Sequence, residues 1–309
     1  MAFDATTTAD EVLAGRDLTG KEILVTGASG GIGYETARAL TARGARVTLA
    51  ARDRAKLAAA LEQLLADRPG ARADIALVDL ADLTSVRNFA AGFLAERDRL
   101  DVLVNNAGVM FPPLLRTVEG FELQFGTNHL AHFLLTGLLF PLLHASAPAR
   151  VVNVSSEGHR RGGVDLDDPN FITREYDKFA GYGQSKTANI LFGRELDRRA
   201  AATGVHAFSL HPGRIATDLG RHMTHDDMVA LVERAQQASA GGMPDFKSIP
   251  QGAATTVYTA VTEQLDDHGG AYLSDCALAE PAEWARDDSI AAALWDLSES
   301  LVGEQWSPA

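Results

Sequence analysis

The chain has 309 residues, of which 46% are hydrophobic and 22% charged, an ordinary balance for a soluble globular protein and enough chain to bury a core around a ligand pocket. Lysine and arginine number 28 against 41 aspartates and glutamates; the net charge of −13 excludes broad affinity for nucleic acid or anionic membranes, though not for a phosphorylated ligand met locally. Cys276 is the single cysteine, which excludes an intrachain disulfide and points to a reducing compartment.

Met1 to Leu18 is polar and rich in Thr, Ala and Asp, without the apolar centre of a signal peptide. Ile23–Val25 predicts the first strand, followed by a glycine-rich turn and a helix near 34–43 that Gly44 ends. Val47–Ala50 predicts the second strand, with a helix near 53–66. Ile75–Val78 predicts the third, with a helix near 83–97 for which Asp82 is the N-cap. Val102–Val104 is the fourth, and a long amphipathic segment near 119–145 follows. The apolar stretch Phe133–Leu143 within it is interrupted by Gly137 and Pro141, and falls far short of the ~20 residues of a membrane helix. Val151–Val154 is the fifth strand; a polar excursion, Glu157–Phe179, leads to a helix near 181–202 that Gly204 ends. Val205–Leu210 is the sixth, followed by a second excursion, 214–250, with a helical piece around Asp226–Gln237.

Short two-sided strands separated by helices imply a parallel sheet buried on both faces. No composition break divides them, so residues 1–309 are expected to form a single α/β domain of the Rossmann type, doubly wound, with ligands at the carboxyl ends of the strands. Residues 1–18 form an N-terminal extension, 214–250 a substrate lid, and 276–309 a C-terminal segment. Trp284, Trp295 and Trp306, with Ile290, Leu294 and Leu297, are expected to pack that last segment against the body. The protein is expected to be cytoplasmic, without a membrane anchor.

Two motifs carry the chemistry. Thr26-Gly-Ala-Ser-Gly-Gly-Ile-Gly33 joins the first strand to the first helix. Gly27, Gly31 and Gly33 fit one nucleotide-binding spacing; Gly27, Gly30 and Gly33 fit another. Glycines let the backbone approach a pyrophosphate, and the helix start offers free N–H groups and partial positive charge. Tyr182-Gly-Gln-Ser-Lys186 places a phenol and an ammonium four apart on one helical face, where the amine would lower the phenol pKa. Together they read as hydride transfer with tyrosine acid–base catalysis. At the end of the second strand Arg52 stands where the 2′-phosphate of an adenosine ribose would be met, while Asp53 suits a helix N-cap, so NADP(H) is favoured over NAD(H).

Further motifs converge: Asp79-Leu80, Asn105-Asn-Ala-Gly108, Asn128 in Gly126-Thr-Asn-His-Leu-Ala-His-Phe133, Ser155-Ser156 after the fifth strand, and His211-Pro-Gly213 after the sixth. From Leu18 to Asp275 the chain resembles the short-chain dehydrogenase/reductase superfamily, and within it the retinol-dehydrogenase-like enzymes and their bacterial relatives. The resemblance implies that Tyr182 is the general acid/base, that Lys186 lowers its pKa and bonds the nicotinamide ribose, that Ser156 holds the substrate oxygen, and that Asn128 positions a relay water. It also implies cofactor contacts from Gly27, Ser29, Gly30, Gly31, Ile32, Gly33, Arg52, Asp79, Leu80, Asn105, Ala107, Gly108, Tyr182, Lys186, Pro212, Gly213, Ile215 and Thr217. The implied partner is a small, hydrophobic carbonyl or alcohol, and helices of this fold often pair in homo-oligomers.

Tyr176 competes as the base, but its i+4 neighbour is Ala180. His129 with His132 and His222 with His225 have metal-ligand spacing but no third ligand in view, so no metal is expected. Two other functions share this fold: a reductase of an activated C=C bond, and a non-catalytic sensor of NAD(P) redox state. The sensor type tends to lose the Tyr/Lys/Ser set that this chain keeps.

Overall fold

The computed structural model describes residues 3–227, 229 and 246–308. A one-turn helix, α1 (Ala9–Val12), opens under a Thr8/Glu11 capping box. The alternation then runs β1 (Glu22–Thr26), α2 (Gly31–Thr41), β2 (Arg46–Ala51), α3 (Arg54–Asp67), β3 (Arg72–Leu77), α4 (Leu83–Glu96) and β4 (Val102–Asn105). It continues through α5 (Leu123–Phe125), α6 (Ala131–Ala145), β5 (Ala149–Val154), α7 (Lys178–Arg199), β6 (Val205–Leu210), α8 (Ile249–Val261), β7 (Tyr272–Ser274), β8 (Ala277–Ala279) and α9 (Asp288–Val302).

The strands form one sheet in the order β3-β2-β1-β4-β5-β6-β7-β8, parallel throughout except for β8. From β1 the chain winds outward through β2 and β3, then returns to lay β4 on the other side of β1. The carboxyl ends of β1 and β4 therefore flank the switch point at which a doubly wound sheet opens a ligand crevice. Aliphatic side chains on both faces of β1, β4 and β5 enter two cores. One is closed by α4, α6, α7 and α9, the other by α1, α2, α3 and α8. No described helix is long and apolar enough to cross a membrane.

Helix starts follow side-chain chemistry. Asp53, Asp82, Asp177 and Asp287 accept first-turn N–H groups of α3, α4, α7 and α9. Asp177 starts α7 at Lys178, earlier than hydrophobic periodicity indicates. The helix expected near 119–145 is interrupted. Gly120 turns with φ 91, Glu122 caps α5, and a π-helical turn, Gly126–Leu130, leads into α6. Gly126 packs so tightly on the Thr117 methyl group that a regular path with a side chain there would collide. Strands β7 and β8, three residues each, are too short for periodicity to register, and α8 was hidden inside an alanine- and threonine-rich stretch. Most of the helical piece expected around 226–237 lies outside the described residues. Trp295 and Trp306 pack ring to ring, 4.6 Å between centroids, against Phe133. Trp284 sits apart from them, half exposed, donating from Nε1 to the His159 carbonyl at 3.0 Å.

Candidate active site

β1 delivers Thr26 to a turn in which Gly27 (φ 67) and Gly31 (φ 57) take left-handed backbone. A Cβ on Gly27 would stand 2.8 Å from Ala107 Cα, and one on Gly33 would stand 2.5 Å from Asn106 Nδ2. Ser29 and Ile32 are half-buried beside them. Where α3, α4, α7 and α9 start under an aspartate, α2 starts after Gly30, and no side chain accepts its first N–H groups. A tight, side-chain-free turn leading to an uncapped helix, with no carboxylate on its amides, fits the pyrophosphate of a dinucleotide. Thr217, from the segment after β6, lies over this turn, its methyl 3.4 Å from where a Gly31 Cβ would be.

α7 packs against β5 and β6 and carries Tyr182 and Lys186 one turn apart, 4% and 3% exposed. Lys186 Nζ donates to the Val154 carbonyl at 2.9 Å and lies 5.8 Å from the centre of the Tyr182 ring. Ser156, just beyond β5, lies close enough to the Tyr182 phenol to lower it, and accepts from Gly158 N at 3.0 Å. Ser155 instead donates to the Lys186 carbonyl at 2.7 Å, so the two adjacent serines serve different ends.

The electrostatics depart from the expectation that Lys186 lowers the phenol. Burial pushes Tyr182 up, against the pull of the Ser156 hydroxyl and the Arg161 charge. Burial also brings Lys186 down, to about 8. In a shared dry pocket desolvation drives both groups toward neutrality, and it outweighs their mutual attraction. Arg161, whose guanidinium lies 5.4 Å from the Phe179 ring centre, was not singled out by sequence reasoning. Its only signal was its place just after Ser156.

Asn128 sits in the π-helical turn, fully buried. Its side chain accepts from Val109 N at 2.8 Å and donates to Val109 O at 3.0 Å and Ser185 Oγ at 2.9 Å. That clamps the loop after β4 to α7, while His132 Nδ1 approaches the Asn128 backbone carbonyl at 3.0 Å. A Cβ on Gly108 would come within 3.1 Å of Asn128 Oδ1 and 3.6 Å of Lys186 Nζ. His132 Nε2 meets Thr26 Oγ1 at 2.9 Å, and the same hydroxyl accepts from Asn106 N and Ala107 N, each at 3.0 Å. Burial lowers His129 to about 3 and His132 to about 4; His129 contacts Ser298 rather than a ligand set.

The other expected residues divide between surface and scaffold. Asn105 turns its amide to Asn153 Oδ1 (2.9 Å) and Thr136 Oγ1 (3.1 Å), so its side chain braces β4 rather than the crevice. Asn106, beside it, ties the glycine turn by donating to Thr26 O at 2.7 Å. Asp79 accepts from Ala81 N at 2.9 Å, with Leu80 buried next to it. Arg52 is exposed just past β2, while the Asp53 carboxylate accepts from Ala55 N and Lys56 N, each at 3.0 Å. Pro212 is buried, Gly213 turns with φ 92, and Ile215 bridges to Lys247. The Tyr176 hydroxyl donates to Glu122 Oε1 at 3.0 Å, and burial pushes it far above the usual tyrosine range. The Cys276 thiol, buried beside Thr255, is pushed up to about 11.

An apolar cluster unforeseen in the sequence surrounds the tyrosine: Met110, Phe111, Phe179 and Met223. The Phe111 ring lies 5.1 Å from that of Tyr182 and 4.6 Å from that of Phe179. Its backbone is left-handed (φ 56), held by Gln124 Oε1 accepting from its N–H at 2.9 Å.

A doubly wound sheet with a side-chain-free turn at its switch point defines a dinucleotide-binding protein of the Rossmann type. The family model described as short chain dehydrogenase matches residues 21–228. Retinol dehydrogenase 12 of Mus musculus is 44% identical over 289 residues, 94% of this chain and 88% of its own. Retinol dehydrogenase 13 of Homo sapiens is 43% identical over 290 residues, 93% and 86%. The crystal structure of an uncharacterized protein from Mycobacterium paratuberculosis superposes with a TM-score of 0.76 at 35% identity, covering 99% of both chains. The RhlG/NADP active-site complex of Pseudomonas aeruginosa gives 0.65 at 28% identity, covering 83% and 95%. The chain belongs to the short-chain dehydrogenase/reductase family, among its retinol-dehydrogenase-like members.

Proposed function

We propose that the protein interconverts a hydrophobic carbonyl compound and its alcohol, using NADP(H) in preference to NAD(H), in the cytoplasm. The observation that carries this reading is the trio at the carboxyl edge of the sheet: the buried Tyr182 and Lys186 one turn apart on α7, with the half-buried Ser156 beside the phenol. When bound, the nicotinamide dinucleotide supplies or takes the hydride. Tyr182 holds the proton that the substrate oxygen gains or loses, and Ser156 orients that oxygen toward it. Lys186 and Arg161 stabilise the phenolate left behind, and the Asn128 carbonyl holds a water through which the proton is replaced. Gly27, Gly31 and Gly33 with the open start of α2 would hold the pyrophosphate, and Arg52 the 2′-phosphate. Asp53, the acid nearest Arg52 in sequence, is engaged as the α3 cap, which supports the NADP(H) preference.

The apolar wall of Met110, Phe111, Phe179 and Met223 supports a hydrophobic substrate. Phe179 ends one polar excursion and Met223 belongs to the other, so both excursions bring apolar surface to the tyrosine, as a substrate lid must. A panel of hydrophobic ketones, aldehydes and alcohols, followed as NADPH oxidation or NADP reduction, tests the reading. Turnover should grow with substrate hydrophobicity; a panel with no turnover under either cofactor sinks it.

A further inference from the structure

The segment after β6 does more than approach the substrate. Thr217 lies over the glycine turn, and the single 3-10 turn that follows it, Asp218–His222, reaches across to the start of α3. There Asp218 Oδ2 is 3.9 Å from Lys56 Nζ, which ties the turn to the helix whose first residues follow Arg52. Arg221 Nη1 donates to the Asp218 carbonyl at 3.2 Å. Among the described residues neither Arg52 nor Arg221 has a carboxylate within ion-pair distance, and the nearby acids are engaged, Asp53 as a cap and Asp218 toward Lys56. The turn thus brings Arg221 and His222 toward the start of α3 beside Arg52, in a chain that is acidic overall. Burial first holds both below their ordinary ranges; the charge of Arg52 adds to this at Arg221, the charges of Arg221 and then Arg52 add to it at His222, and Asp218 pulls Arg221 the other way.

We propose that Arg221 is a second cation for the adenosine 2′-phosphate, closing on it opposite Arg52. The inference rests on the NADP(H) reading and extends it: specificity for the phosphate is shared between the strand that starts the adenosine site and the segment expected to act as lid. A phosphate monoester carries close to two negative charges near neutral pH, so two guanidiniums can each make charge-assisted hydrogen bonds to it without competing for one oxygen. Lid position then depends on which dinucleotide is bound, because only the phosphorylated one gives Arg221 a partner.

The test is binding, not turnover. NADPH, NADH, 2′,5′-ADP and 5′-ADP are titrated calorimetrically against the full chain, Arg221→Ala, Arg52→Ala and the double variant. Arg221 is exposed, so its replacement leaves the fold intact. Arg221→Ala should weaken NADPH and 2′,5′-ADP about tenfold and leave NADH and 5′-ADP unchanged. The double variant should lose the preference altogether, and NADPH alone should slow hydrogen exchange over 217–222. Equal weakening of NADH and NADPH would place the guanidinium on the pyrophosphate and overturn the proposal. So would an NADPH preference that Arg221→Ala leaves intact. The unsubstituted chain is read first: if it binds NADH as tightly as NADPH, the NADP(H) reading itself has failed.

Discussion

Replacing Lys186 with methionine should make the protein more stable at neutral pH while ending its catalysis. The amine is 3% exposed and burial lowers its pKa from 10.5 to about 8. That fall corresponds to about 3 kcal/mol held against the charged form in the folded state. The folded pKa lies below the unfolded one, so the cost is fully present below pH ~8 and disappears as the pH rises past ~10.5. Methionine fills a similar volume without charge. It forfeits the hydrogen bond to Val154 O, about 1 kcal/mol, but Asn189 Nδ2 still donates to that carbonyl at 3.3 Å. The net gain should be about 2 kcal/mol at pH 7 and close to zero at pH 9.5, where the cost has fallen to about 1 kcal/mol. Urea unfolding of both proteins at the two pH values measures it. A variant less stable at pH 7, or a difference that does not change with pH, refutes the claim that the site is dry.

Tyr182→Phe should lower kcat roughly 100-fold or more while dinucleotide affinity stays within about threefold, measured by steady-state kinetics and fluorescence titration; more than a tenth of normal turnover would remove Tyr182 from the role. Arg52→Ala should erase about tenfold of NADPH affinity and none of NADH affinity, and a preserved preference would show that Arg52 points to solvent. Gly33→Ala sets a methyl 2.5 Å from Asn106 Nδ2 and should abolish binding of both dinucleotides in a chain that still folds by circular dichroism; normal affinity would mean the turn can yield. Gly137→Ala puts a Cβ 2.6 Å from the Trp306 ring and should cost ~1–3 kcal/mol in thermal unfolding, or under about 0.5 if the tail simply swings aside.

What could be read in advance followed from local chemistry. Asp53 and Asp82 announced their caps, and the six principal strands announced themselves as aliphatic runs between helical segments. Tyr182 and Lys186 stood out by their four-residue spacing and Ser156 by resemblance to the family, and the fold brings the three to one edge. The π-helical turn at Asn128 was not legible, since no local pattern marks it and Gly126, which opens it, packs against Thr117 from outside the helix. Asn105 and Asn106 are chemically equivalent in sequence; only β4 pairing decides that the first braces β5 and the second holds the glycine turn. Phe111 was hidden because its left-handed backbone depends on the distant Gln124 amide, and Arg161 because its influence on Tyr182 acts through space.

The hydrogen bonds around Thr26 have a direction. Its oxygen receives amide protons from Asn106 and Ala107, so its own proton must leave, to the Val104 carbonyl at 3.3 Å or to His132 Nε2 at 2.9 Å, and the shorter route is to the ring. The ring can accept there because its other nitrogen faces the Asn128 carbonyl and must carry the hydrogen, and because a ring so reluctant to protonate holds only one. The hydrogens of this chain therefore all point the same way, from the amides behind the glycine turn to the oxygen of the π-helical turn. A single threonine hydroxyl thereby gives the two halves of the crevice, which the strand order separates, a common polarity.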